Sequence, residues 1–145
     1  MERTCIIIKP DGLGKKTVGK VIDRFEGEGF KLLGLKMVKP TRAEFENFYG
    51  VHRGKEFFSA FIDFVTSMPV IVSVWEAEDA IKRARGIIGA TDSKKAEKGT
   101  LRNLYGTNER HNLIHASDSA ENAMKEILRF FKTCEILEYN ENDWK

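Results

Sequence analysis

Short apolar runs of strand character alternate along this chain with longer stretches of helical period, and that interleaving most restricts what it can fold into. Cys5-Ile6-Ile7-Ile8-Lys9 reads as a buried strand, β-branched and halted by Pro10-Asp11-Gly12. Val18, Val21, Ile22 and Phe25 then recur at helical spacing, and Gly27 and Gly29 end that apolar face. From Lys31 to Val38, Leu33, Leu35 and Met37 alternate with polar or small neighbours, the pattern of a half-buried strand. Thr41-Arg42-Ala43-Glu44 is a capping box, in which the Thr hydroxyl and Glu carboxylate satisfy free amides at a helix start. The helix it opens turns Phe45, Phe48 and Tyr49 inward, and the next carries Phe57, Phe58, Phe61, Ile62 and Val65. Pro69 introduces a strand from Val70 to Trp75, and a helix from Ala80 to Ile88 stops at Gly89. A long loop rich in Lys, Gly and Thr runs from Ala90 to Glu109 and leads to a short strand, Leu113-Ile114-His115. The last helix, Ala120 to Phe131, has two apolar stripes, Ala123-Ile127-Phe130 and Met124-Leu128-Phe131.

Four strands in the order β-α-β-(αα)-β-(α)-loop-β-α suit an α/β (α+β) protein: a ferredoxin-like split βαβ sandwich, with a four-stranded antiparallel sheet covered by helices. A small parallel α/β sheet is the rival. The 145 residues, 41% hydrophobic, are expected to form one domain over positions 1–145. The net charge of +2 argues against a general polyanion binder, and no RNP-type pattern supports a specific nucleic-acid partner. Cys5 and Cys134 each lie in an apolar run outside any C-x-x-C pair, and both read as buried thiols of a reducing compartment. The apolar stretch after Met1 is too short for a signal or a membrane span, so a soluble cytoplasmic protein is expected.

Gly12-Leu13-Gly14-Lys15-Lys16-Thr17 resembles a phosphate loop but fails its pattern twice: Lys9 stands where the first Gly belongs, and Lys16 where Ser or Thr belongs. It reads as a Gly-rich turn, and a nucleotide site here must be built otherwise. Of the three histidines, His52, His111 and His115, the last ends an apolar strand and precedes small polar residues. Imidazole is the side chain that can be an unprotonated nucleophile near neutrality. Ser117 and Glu126 follow at spacings from which a hydroxyl and a carboxylate could orient its ring. Between Lys82 and Arg110 eight cations face three acids. Most read as a solvated loop, but Arg85 falls on the apolar side of its helix and is expected to point inward, where it needs an anion. Lys9 is likewise a cation ending a buried strand.

Asn112-Leu113-Ile114-His115-Ala116-Ser117-Asp118-Ser119 closely resembles the signature N-x-x-H-G-S-D-S of the nucleoside diphosphate kinase family. Ile7-Ile8-Lys9-Pro10-Asp11-Gly12 resembles the family's opening strand and turn, and the likeness runs in order through nearly the whole chain. It implies a ping-pong transfer of the γ-phosphate from a nucleoside triphosphate, mainly ATP, to nucleoside diphosphates through a phosphohistidine, maintaining nucleotide pools. Carried over, His115 is the nucleophile. Lys9 and Asn112 contact the ribose, Lys9 also the transferred phosphate, and Arg85, Thr91 and Arg102 hold the β- and γ-phosphates. Phe57 stacks on the base, while Tyr49, Ser117 and Glu126 pack around and orient the imidazole. No acid or His cluster has metal spacing, so Mg2+ is expected to arrive on the nucleotide phosphates, with Asp118, otherwise a helix N-cap, as an outer-shell partner. A homo-oligomer is implied, a hexamer ahead of a tetramer. Five positions depart from the family pattern: Ala116 for Gly, Asn103-Leu104 for Gly-Asp, Ser93 for Pro, and Glu109 for an apolar residue against the base. The rival functions are a silent nucleotide-binding module, which would bind without transfer, and an RNA-binding sheet, which would show salt-sensitive binding.

Overall fold

The computed structural model describes residues 1–145. Its strands are β1 (Glu2–Ile8), β2 (Lys31–Val38), β3 (Val70–Ala77) and β4 (Ile114–Ala116). The helices are α1 (Pro10–Gly14), α2 (Val18–Gly27), α3 (Arg42–Phe48), α4 (Phe58–Val65), α5 (Ala80–Ile88), α6 (Leu101–Tyr105) and α7 (Ala120–Phe130). The sheet order is β2-β3-β1-β4 and every neighbouring pair is antiparallel, which gives the split βαβ arrangement and excludes the parallel rival.

Alternation in the strands divides the core in two. Ile6 and Ile8 of β1 join Trp75, Ile114 and Ala116 under α2 and α5, while Cys5 and Ile7 face the layer of α3, α4 and α7. Each fully buried Ile or Phe contributes roughly 1.5–3 kcal/mol. Polar atoms around the Trp75 ring are paired: Trp75 Nε1 donates to Ser73 Oγ (2.9 Å), which donates to the Ile6 carbonyl (2.9 Å). The capping box forms as expected, Glu44 N donating to Thr41 Oγ1 and Thr41 N to Glu44 Oε1.

Several expectations need correction. Leu35 and Met37 do not share Leu33's buried face; they are exposed, because a bulge between Leu32 and Gly34 shifts the register and reverses the faces of β2. Cys134 is exposed, lying past α7 in a short turn, while Cys5 is buried. Met124 and Leu128 form no inward stripe, since α7 buries only Ala123 and Ile127 and places Phe131 in the core beyond its end. The long loop contains α6, opened by Thr100, whose Oγ1 accepts from Asn103 N. Asp118 is not the cap of α7; Ser119 is, accepting from Asn122 N (3.0 Å). Leu113 lies outside β4 with a φ of +77°, a left-handed conformation costly for a branched side chain. Two bonds hold it there: Leu113 N donates to Asp11 Oδ2 (2.9 Å), and its carbonyl accepts from Lys9 N (2.9 Å).

Candidate active site

His115 lies between two buried neighbours of β4, Ile114 and Ala116, so alternation sends its ring to the opposite face, toward α3 and α7. There Nε2 meets Glu126 Oε1 at 2.9 Å. The same oxygen accepts from Ser117 Oγ (2.6 Å), and Ser117 Oγ in turn accepts from Cys5 N (3.0 Å). The carboxylate is thus fixed to the central strand through a buried hydroxyl. An ionised carboxylate only accepts, so the proton sits on Nε2 and Nδ1 keeps its lone pair. Phe48 packs edge-on against the imidazole (centroids 5.3 Å) and Tyr49 lies behind at 6.3 Å. The Tyr49 hydroxyl is buried and unpartnered. Burial, and then the charge of Glu126, push its pKa upward, so it stays a neutral donor.

These groups open onto a cleft of about 990 Å³ lined by seven Lys or Arg side chains and three carboxylates. Lys9, 5% exposed, donates to Asn112 Oδ1 (2.8 Å). Burial and then the neighbouring Arg102 charge lower its pKa to about 7. Asn112 Nδ2 donates to the carbonyls of Thr91 (2.9 Å) and Glu109 (3.0 Å), tying the loops around the cleft together. Arg102 is the inward arginine: its guanidinium donates to the carbonyls of Asn112 (3.1 Å), Gly89 (3.0 Å) and Ile114 (2.7 Å). Gly89 can present that carbonyl because it sits at φ +89°, where a Cβ would meet Thr100 Oγ1 at 2.5 Å.

Arg85 does not point into the core. Ala84, Ile87 and Ile88 take the buried face of α5, and Arg85 is exposed on the cleft, four residues from the Ile81 that suggested otherwise. Thr91 lines the cleft too, and Phe57 stands at its rim, 42% exposed, 5.7 Å from the His52 ring. Every side chain picked out in the sequence as catalytic or nucleotide-binding therefore borders this cleft or, for Ser117, braces it from below. Sequence reasoning missed Phe48, whose inward position gave no hint of His115, and Asp11, read only as part of a strand stop. Of the departures, Ala116 pairs with Ile6 in regular strand, Asn103 bonds Gly99 N (3.2 Å), and Ser93 is buried with its hydroxyl unpartnered.

A split βαβ sheet that carries a braced imidazole into a cationic cleft defines a phosphotransferase. A family model described as nucleoside diphosphate kinase matches residues 2–136. Similar proteins include the nucleoside diphosphate kinases of Carboxydothermus hydrogenoformans, 49% identical over 96% of this chain and 93% of that one, and of a Synechococcus strain, 48% identical over 99% and 91%. Among solved structures, the Aquifex aeolicus enzyme superposes with a TM-score of 0.91 at 47% identity, over 94% of this chain and 99% of that chain. The Halobacterium salinarum enzyme, solved in complex with CDP, reaches 0.94 at 36% identity, over 97% and 94%. The chain belongs to the nucleoside diphosphate kinase family, enzymes that pass phosphate from nucleoside triphosphates to nucleoside diphosphates.

Proposed function

We propose that the transfer runs by a ping-pong mechanism through a phosphohistidine at His115 Nδ1, using the whole chain as one domain. The observation that carries this reading is the Glu126 bond to Nε2, which leaves the other ring nitrogen as nucleophile. Nδ1 attacks the γ-phosphorus of a triphosphate, mainly ATP, and the β–γ bridging oxygen leaves with the diphosphate. A second diphosphate then attacks the phosphohistidine and restores the ring. Lys9 meets the transferred phosphate and, with Asn112, the ribose. Arg85, Thr91 and Arg102 hold the β- and γ-phosphates, Phe57 stacks on the base, and Tyr49, Ser117 and Glu126 position the imidazole. Fixed cations supply what phosphoryl transfer needs, positioning and charge stabilisation.

No group of three or more His, Cys, Asp or Glu is placed to hold a metal. The cationic lining suits phosphates, and Asp118, whose pKa is lowered first by the bond from Asn122, is an ionised acceptor on the cleft. The donor set fits Mg2+ carried on the nucleotide phosphates, where Asp118 would accept from waters on the ion. The ion would neutralise charge on the phosphates. We also propose a cytoplasmic homo-oligomer, a hexamer ahead of a tetramer. No helix is long and apolar enough to cross a membrane, and Leu35 and Met37 leave the edge strand β2 apolar and exposed. Light scattering measures the assembly directly.

The test is to mix the protein with γ-labelled ATP, isolate it, and add a diphosphate. Label should enter the protein in acid-labile, alkali-stable form and leave as triphosphate; transfer without a labelled protein refutes the proposal. In the same assay Glu126→Ala should lower kcat about 10²-fold with little change in KM, because it frees the ring without touching the phosphates.

Nucleotide binding should also take up a proton. Lys9 in the free enzyme is about half charged near pH 7. A bound phosphate favours the charged form and raises its pKa, so the proton uptake per site grows from at most about one half at pH 7 to about nine-tenths at pH 8. Calorimetry in buffers of different ionisation enthalpy would read the uptake; its absence in the wild type, or its survival in Lys9→Met, contradicts the assignment.

A further inference from the structure

The three carboxylates on the cleft differ in what they do. Glu126 is committed to His115 and Ser117, and Asp118 accepts from Asn122 Nδ2 (2.7 Å). Glu109 is exposed on the cleft and its carboxylate has no partner. Its backbone is nonetheless held: its carbonyl accepts from Asn112 Nδ2, and the Asn108 side chain accepts from the amides of Arg110 (3.0 Å) and His111 (2.8 Å). A turn held at its backbone therefore presents a carboxylate without a hydrogen-bond partner to a cavity built for an anion.

Repulsion keeps that carboxylate away from the phosphates. With the phosphates at Lys9, Arg85 and Arg102 and the ribose at Lys9 and Asn112, the base is the remaining part of the nucleotide. We propose that Glu109 reads the edge of the base and gives this enzyme a preference for guanine; the inference rests on the nucleotide placement set out above. A carboxylate only accepts, and its two oxygens match two adjacent donors. Guanine offers such a pair in N1–H and N2–H. Adenine and cytosine set one amino group beside a ring acceptor. Uracil sets one N–H between two carbonyls, which the carboxylate repels. Arg110, on the same turn and also lining the cleft, brings a donor of the kind that guanine O6 accepts. A site built around such donors and acceptors discriminates because the wrong base leaves them unpaired.

The experiment compares GDP, ADP, CDP and UDP as acceptors from isolated, labelled phosphoenzyme at subsaturating concentrations. The wild type should favour GDP over UDP about tenfold in kcat/KM, the scale of one hydrogen bond to a charged group. In Glu109→Leu and Glu109→Gln the ratio should fall to within about threefold. Calorimetric affinities for GDP and UDP read the same preference without any transfer, so a failure of the phosphohistidine reading is told apart from a failure of this one. A wild-type GDP-to-UDP ratio near one overturns the inference. So does a ratio that survives Glu109→Leu, or a variant that loses all four acceptors equally, since that makes Glu109 a support for the turn and nothing more.

Discussion

His115→Ala should lower kcat about 10⁴-fold or more and abolish the labelled protein, while nucleotide affinity changes by less than about threefold. The separation of the two effects follows from the site. The ring is held by Glu126, Phe48 and Tyr49, none of which is among the cations that would grip the phosphates. Removing it deletes the acceptor and leaves Lys9, Arg85 and Arg102 in place. A large rise in KM would mean that the imidazole binds the phosphates and does not accept one. Retention of label after His115→Ala would move the nucleophile elsewhere, and only His52 and His111 remain as imidazoles on the cleft. Steady-state kinetics with ATP and GDP, together with direct nucleotide titration, separate these cases.

The parts of the molecule that could be read from the sequence are those where local chemistry and tertiary packing agree. Period and turn residues placed α2, α5 and the capping box of α3 within a residue or two of where they lie. The bulge in β2 could not be read, because Leu35 and Met37 keep their alternation with polar neighbours whether or not the pairing slips by one. The missed helix α6 has five residues and owes its stability to the burial of Leu101 and Arg102, which no local propensity reports. In the site, His115 stood out because its flanking residues are unlike those of a core strand. Arg85 was assigned the inward role that belongs to Arg102, since helical spacing alone cannot tell a face that packs on the sheet from one that borders a cleft. The contacts of Asp11 with Leu113 and of Ser117 with Glu126 cross 102 and 9 positions of sequence. The first of these is invisible to any local pattern.

Arg102→Leu should cost about 3–5 kcal/mol of folding stability and lower kcat/KM about 10²- to 10³-fold. Of the five N–H groups of a guanidinium, three here hold the carbonyls of Gly89, Asn112 and Ile114, and two remain for a phosphate. The three bound carbonyls belong to the end of α5 and to the segment that carries His115, so one side chain ties the phosphate site to the nucleophile. Burial and the nearby Arg85 charge lower its pKa only to about 10, which leaves it charged at neutral pH. Leucine would take a donor from all three carbonyls; that of Asn112 keeps the amide of Ile114 (2.9 Å), so the loss falls on Gly89 and Ile114, each costing about 1–3 kcal/mol unless water reaches it. Lysine restores the charge but reaches fewer acceptors and lacks the planar fork, so Arg102→Lys should recover part of the rate and little of the stability. Arg85→Met is the control: exposed on the cleft, it should lose rate while stability moves by less than about 0.5 kcal/mol. Urea midpoints at constant m-value and kcat/KM for the three variants decide the matter. Equal stability losses in Arg85→Met and Arg102→Leu would show that the carbonyl network does not hold the site together.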